Sequence, residues 1–108
     1  MRKGDQAKLT IKKYLRKCYE KEYSACTVTV WKYDSKEGYI YFVLENEELI
    51  NVSLDIIYGC EIFTADEIVS CTGRIKERYY NENGKILKFE IENGFYKINI
   101  KSVDKQIV

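Results

Sequence analysis

Asn83-Gly84 and Asn93-Gly94 stand ten residues apart, each between runs that alternate apolar and polar residues. Asn-Gly readily adopts the positive φ of a tight hairpin turn, so such a pair between alternating runs is a strong short-range hairpin signal. Two of them predict an antiparallel meander over the last third of the chain. A two-residue loop at Asn93-Gly94 sets Ile91 beside Tyr96, Phe89 beside Ile98 and Leu87 beside Ile100 on one apolar face, with Glu90 beside Lys97 on the other. For the preceding hairpin, a three-residue loop Glu82-Asn83-Gly84 keeps the pattern matched. Tyr79 then faces Leu87, Ile75 faces Ile91, Lys76 faces Glu90 and Arg74 faces Glu92. In that register Glu77 falls on the apolar face opposite Phe89, where an isolated carboxylate is costly. It is either an acid of raised pKa or a residue displaced by a strand edge or bulge.

A period of two also runs through 26–33 and 39–44, on either side of the turn Asp34-Ser35-Lys36-Glu37-Gly38. Val28, Val30 and Lys32 then face Leu44, Phe42 and Ile40. Thr29, Trp31 and Tyr33 lie against Val43, Tyr41 and Tyr39. Both faces are apolar or aromatic, so one is core and the other is covered or exposed for a purpose. After the acidic turn Glu45-Asn46-Glu47-Glu48, the alternation of Ile50, Val52 and Leu54 predicts a further strand over Leu49 to Leu54. Gly59 suggests a bend or bulge in 55–63.

Residues 5–23 read as a helix. Asp5 is a plausible cap, and Ile11, Tyr14, Leu15, Cys18 and Glu22 recur at helical spacing. The pattern predicts buried Leu15 and Cys18, with Lys8, Lys12, Lys13, Arg16 and Lys17 forming a basic outer surface. Residues 1–21 hold eight basic groups against two acidic ones, and the remainder ten against fifteen. Glu45, Glu47 and Glu48 are the nearest expected acidic counterparts of the basic helix.

The expected fold is therefore α+β, a single domain over 1–108 with a basic helix in 1–24 and a sheet in 25–108. The amphipathic helix packs on a twisted antiparallel meander sheet of about six strands, as a roll or half-barrel. In order of elements it resembles the cystatin-like arrangement. The alternative is a small closed β-barrel with a helix lid.

The chain has no histidine, which removes His-based triads, Cys-His dyads and most zinc sites. It has no phosphate-binding glycine loop and no nucleophile-elbow motif. The expectation is a protein that is not an enzyme and takes no cofactor or metal. Cys18, Cys26, Cys60 and Cys71 form no C-x-x-C pair and read as small buried apolar residues, although a disulfide would be open to an exported chain. No apolar run reaches the ~18 residues of a membrane-spanning helix, and a cytoplasmic location is the default expectation.

Arg74-Ile75-Lys76-Glu77-Arg78 resembles the arginine motif of PilZ domains, which implies a grip on a cyclic dinucleotide. The D/N-x-S-x-x-G signature that follows it in those domains is absent downstream of Arg78. The predicted register places Arg74 and Lys76 beside acidic partners on a solvated face instead.

Two candidate surfaces remain. Trp31, Tyr33, Tyr39 and Tyr41 form an aromatic face that could anchor a protein partner or a second copy of the chain, since Trp and Tyr combine large area with a polar tip. Lys8, Lys12, Lys13, Arg16 and Lys17 form a possible polyanion-binding face. The favoured expectation is a non-catalytic binding or regulatory module acting through protein–protein contact or self-association. The alternatives are a nucleic-acid-associated protein using the basic helix, or a small-ligand pocket between helix and sheet.

Overall fold

The computed structural model describes residues 1–16 and 23–99, with side chains through 96. Its strands are β1 (Gln6–Tyr14), β2 (Cys26–Asp34), β3 (Tyr39–Leu44), β4 (Ile56–Phe63), β5 (Glu67–Asn81) and β6 (Gly84–Asn99). Every pairing is antiparallel, and the strands close in the order β1-β2-β3-β6-β5-β4. The fold is all-β, with a single 3-10 turn at Leu49–Asn51 and no α-helix among the described residues. This corrects both the α+β roll and the barrel with a helical lid.

The predicted helix is in part β1. Ala7 and Leu9 are buried while Gln6, Lys8 and Lys12 are exposed, an alternation of period two. The register against β4 shifts between Ile11 and Lys13, a bulge that breaks this period. Past it Tyr14 is exposed, so the i, i+3, i+4 spacing of Ile11, Tyr14 and Leu15 imitates a helix stripe without marking a buried face. Leu15 is exposed (39%), and its backbone N–H donates to the Asp55 carbonyl at 2.8 Å. Leu15→Ala should therefore change stability by less than about 1 kcal/mol, against the ~2–5 kcal/mol of a buried leucine, as urea denaturation would show. Cys18, Lys17 and Glu22 lie outside the described residues.

The final meander is likewise corrected. Asn93-Gly94 is not a turn: β6 runs through it as one strand, pairing with β5 as far as Glu67↔Asn99. The ladder steps from Gly73↔Ile91 to Thr72↔Asn93 and then to Ser70↔Tyr96, so both extra residues lie on β6. Asn93-Gly94 is thus spent on a double bulge, and Asn93 Nδ2 donates to Thr72 Oγ1 at 3.0 Å. The other Asn-Gly pair does close a hairpin, one residue tighter than expected. Asn81 pairs with Gly84 around Glu82-Asn83, and Gly84 takes the positive φ of 116°. Asn81 Oδ1 accepts the Asn83 N–H at 2.7 Å.

β2 and β3 form the expected hairpin in part. Val28↔Leu44 and Val30↔Phe42 match the predicted register, and Asp34 Oδ1 caps the turn by accepting the N–H groups of Lys36 and Glu37, each at 3.2 Å. Leu49 to Leu54 is not a strand. Residues 45–55 instead cross the barrel end from β3 to β4, which stand on opposite sides of the ring. Leu49 and Val52 are buried in the crossover, whereas Ile50 is 67% exposed. Beneath it the interior holds Leu9, Ile40, Phe42, Ile56, Ile75 and Phe89, with the Phe42 and Phe89 rings 5.8 Å apart. Tyr58 is buried among them, and its hydroxyl accepts the Ser53 N–H of the crossover at 3.1 Å. Burial raises its pKa to about 12.

Candidate functional site

Alternation on β3 turns Ile40, Phe42 and Leu44 into the barrel and Tyr39, Tyr41 and Val43 outward. On β2 the register shifts between Val30 and Lys32, which sets Lys32 opposite Tyr41. Trp31 and Lys32 therefore both accompany Tyr41 on the outer wall. Trp31 and Tyr41 meet edge to face with centroids 6.1 Å apart. Lys32 Nζ lies 4.5 Å from the centre of the Tyr41 ring and 5.5 Å from that of Trp31. Lys88, the β6 partner of Tyr41, places its Nζ 4.2 Å from the Tyr39 ring and 6.0 Å from that of Tyr41. Three rings and two ammonium groups thus interleave on one wall, at distances where cations are attracted to the negative ring faces.

Glu77 completes this wall. The β5 register shifts between Ile75 and Glu77, with Lys76 as the extra residue, so Glu77 pairs with Lys88 and leaves the interior. Its Oε2 lies 3.2 Å from Lys88 Nζ. The hydrogen bond to Glu77 holds the Lys88 ammonium above the usual lysine range. Of the two readings of Glu77, the bulge is the one found: one extra residue reverses which face Glu77 takes and makes it an exposed partner of a lysine.

Trp31, Tyr39 and Tyr41 are partly exposed. Tyr33 is separated from them: beyond the bulge it pairs with Ile40 and packs edge to face on Phe95, 5.7 Å between centroids. The basic candidates do not share a helix face. Lys8 and Lys12 project from β1, and Lys12 lies over Gly59, where a Cβ would come within 2.4 Å of its Cε. Lys13 is exposed past the bulge, Arg16 approaches Asp55 Oδ1 at 3.7 Å, and Lys17 is outside the described residues. The acids expected to face them are engaged elsewhere: Glu45 with Thr29, Glu47 with Asn51, and Glu48 with Tyr80.

Arg74 and Arg78 have a structural task. Arg78 Nη1 donates to the carbonyl of Leu49 at 3.1 Å and to that of Val52, while Arg74 Nη2 donates to the carbonyl of Leu54 at 3.2 Å. Lys85 Nζ adds a bond to the Glu47 carbonyl. The arginine spacing that resembled a nucleotide grip holds the crossover down on the barrel end.

Sequence reasoning missed one concavity. Outward positions on β1, β4 and β5 carry Thr10, Gly59, Ser70 and Thr72, and their small size leaves a groove of about 300 Å³ between Lys12, Glu61 and Tyr96. The signal was present as Thr10, Gly59, Ser70 and Thr72, small residues on three strands, but it required the strand order to be read. No family model, curated protein or solved structure matches the chain.

Proposed function

We propose that this barrel is a non-catalytic binding module that docks an acidic protein segment on the wall formed by Trp31, Tyr41 and Tyr39 with Lys32 and Lys88. The observation that carries the reading is the placement of two lysine ammonium groups against three partly exposed rings on one outer wall. Rings supply area to bury, and the lysines favour carboxylates over other polar partners. Over β3 both strand edges are paired, so docking on this wall proceeds through side chains rather than by adding a strand.

Trp31 is the only tryptophan, so its fluorescence reports on the wall directly. Titration with poly-glutamate at low salt should shift Trp31 emission and protect it from acrylamide. The double variant Lys32→Glu/Lys88→Glu should abolish both effects. Unchanged Trp31 emission at saturating poly-glutamate would overturn the acidic-segment reading, and a response to single-stranded oligonucleotide alone would favour the nucleic-acid alternative. Protection that grows with protein concentration in the absence of ligand would identify a second copy as the occupant.

A further inference from the structure

β4 and β5 pair without interruption from Ile57↔Arg74 to Phe63↔Ile68, and Cys60 and Cys71 are direct Cα partners within that ladder. Both thiols are free and both residues are buried. Directly opposed residues of an antiparallel pair have Cα atoms about 4.5–5.5 Å apart, within the ~4.4–6.8 Å that a disulfide spans. Bond formation therefore requires no shift in register. Cys26 is excluded as a partner of either residue: Leu9 pairs with Cys26 on one side and Cys60 on the other, so a whole strand separates the two cysteines. Burial and the charge of Glu47 push the Cys26 thiol up to about 11. Within the pair the interaction of the two side chains lowers the Cys71 thiol and raises that of Cys60.

We propose that Cys60 and Cys71 are a redox-modification site, forming a reversible intrachain disulfide that locks β4 to β5. The oxidant is a low-molecular-weight disulfide such as glutathione disulfide. Both thiols face the core, so exchange begins when the β4–β5 ladder opens locally. Cys71, as thiolate, then attacks one sulfur of the oxidant; the S–S bond breaks, and the departing glutathione thiolate takes up the proton that Cys71 gave up. Cys60 then loses its proton and attacks the Cys71 sulfur of the mixed disulfide, displacing a second glutathione, which takes that proton. Two cysteine thiols lose two electrons, and one glutathione disulfide becomes two glutathione thiols. Because the bond joins groups already opposed in the folded state, folding and bond formation must favour each other by the same factor.

The test is a chain carrying Cys18→Ser and Cys26→Ser, which leaves this pair alone. It is equilibrated in glutathione buffers of graded composition, natively and in urea, from both the reduced and the oxidised side. Remaining thiols are counted by maleimide mass labelling after an acid quench. The half-oxidised point of the native chain should lie at least about tenfold towards the reducing side of that in urea. Equal midpoints, or a native midpoint on the oxidising side, would overturn the proposal. Should the double variant fail to fold, peptide mapping of the oxidised parent chain decides the matter: a Cys60–Cys71 link supports the site, and any other pairing overturns it.

Discussion

Gly73→Ala should prevent folding or cost more than about 4 kcal/mol, a loss reserved for changes the backbone cannot absorb. A Cβ at position 73 would stand 1.9 Å from the Glu90 carbonyl oxygen and 2.9 Å from Cζ of Phe89. The first of these is the main chain of the neighbouring strand, beside the β6 bulge, so relief would require separating β5 from β6. Gly94→Ala is the matched control. Its Cβ would meet nothing within 4 Å and its φ is not positive, so stability should hold within about 0.5 kcal/mol or rise slightly as the unfolded chain loses freedom. Urea midpoints of the two variants decide the point. Equal midpoints would mean that β5 and β6 do not approach as described.

Arg78→Met should cost about 2–4 kcal/mol, since it keeps the aliphatic stem but leaves the carbonyls of Leu49 and Val52 without their charged donor. Arg74→Met should cost less, because Arg74 holds one carbonyl at the crossover's far end. Amide exchange gives a second readout, with the N–H groups of Asn51 and Val52 losing protection before those of the strands. An Arg78→Met chain of parental stability and unchanged exchange would show that Leu49 and Val52 hold the crossover by burial alone.

Bulges decide how much of this fold alternation can reveal. Alternation correctly indicated extended chain over 26–33 and 39–44, and of its two apolar faces the one with Val28, Val30, Phe42 and Leu44 proves to be the interior. What alternation does not reveal is where a strand gains a residue. One extra residue at Trp31 moved Tyr33 away from Tyr39 and Tyr41, another at Lys76 turned Glu77 outward, and two on β6 consumed the second Asn-Gly pair. Asn-Gly lowers the cost of a turn and of a bulge alike, so the dipeptide identifies unusual backbone without saying which kind. In β1, Ala7, Leu9 and Ile11 alternate, but the alternation ends at the bulge after Ile11, where the exposed Tyr14 and Leu15 stand at helical spacing from it. Sequence named three of the aromatic wall's residues, Trp31, Tyr39 and Tyr41. It could not supply Lys88, which arrives from a strand more than forty positions later in the chain. The role of Arg78 was hidden in the same way.

The crossover also dictates an order of events. Arg78 must reach back 29 residues to Leu49 and 26 to Val52, and Lys85 must reach back 38 to Glu47. None of these bonds can form until β5 and β6 are in place, whereas that hairpin closes around two turn residues and needs nothing distant to begin. β1 must find β4, and β3 must find β6, only after long loops have been drawn together at an entropic cost. The chain therefore ties down its crossover last. Its refolding rate belongs with the slow, non-local β-barrels rather than with domains built from neighbouring contacts.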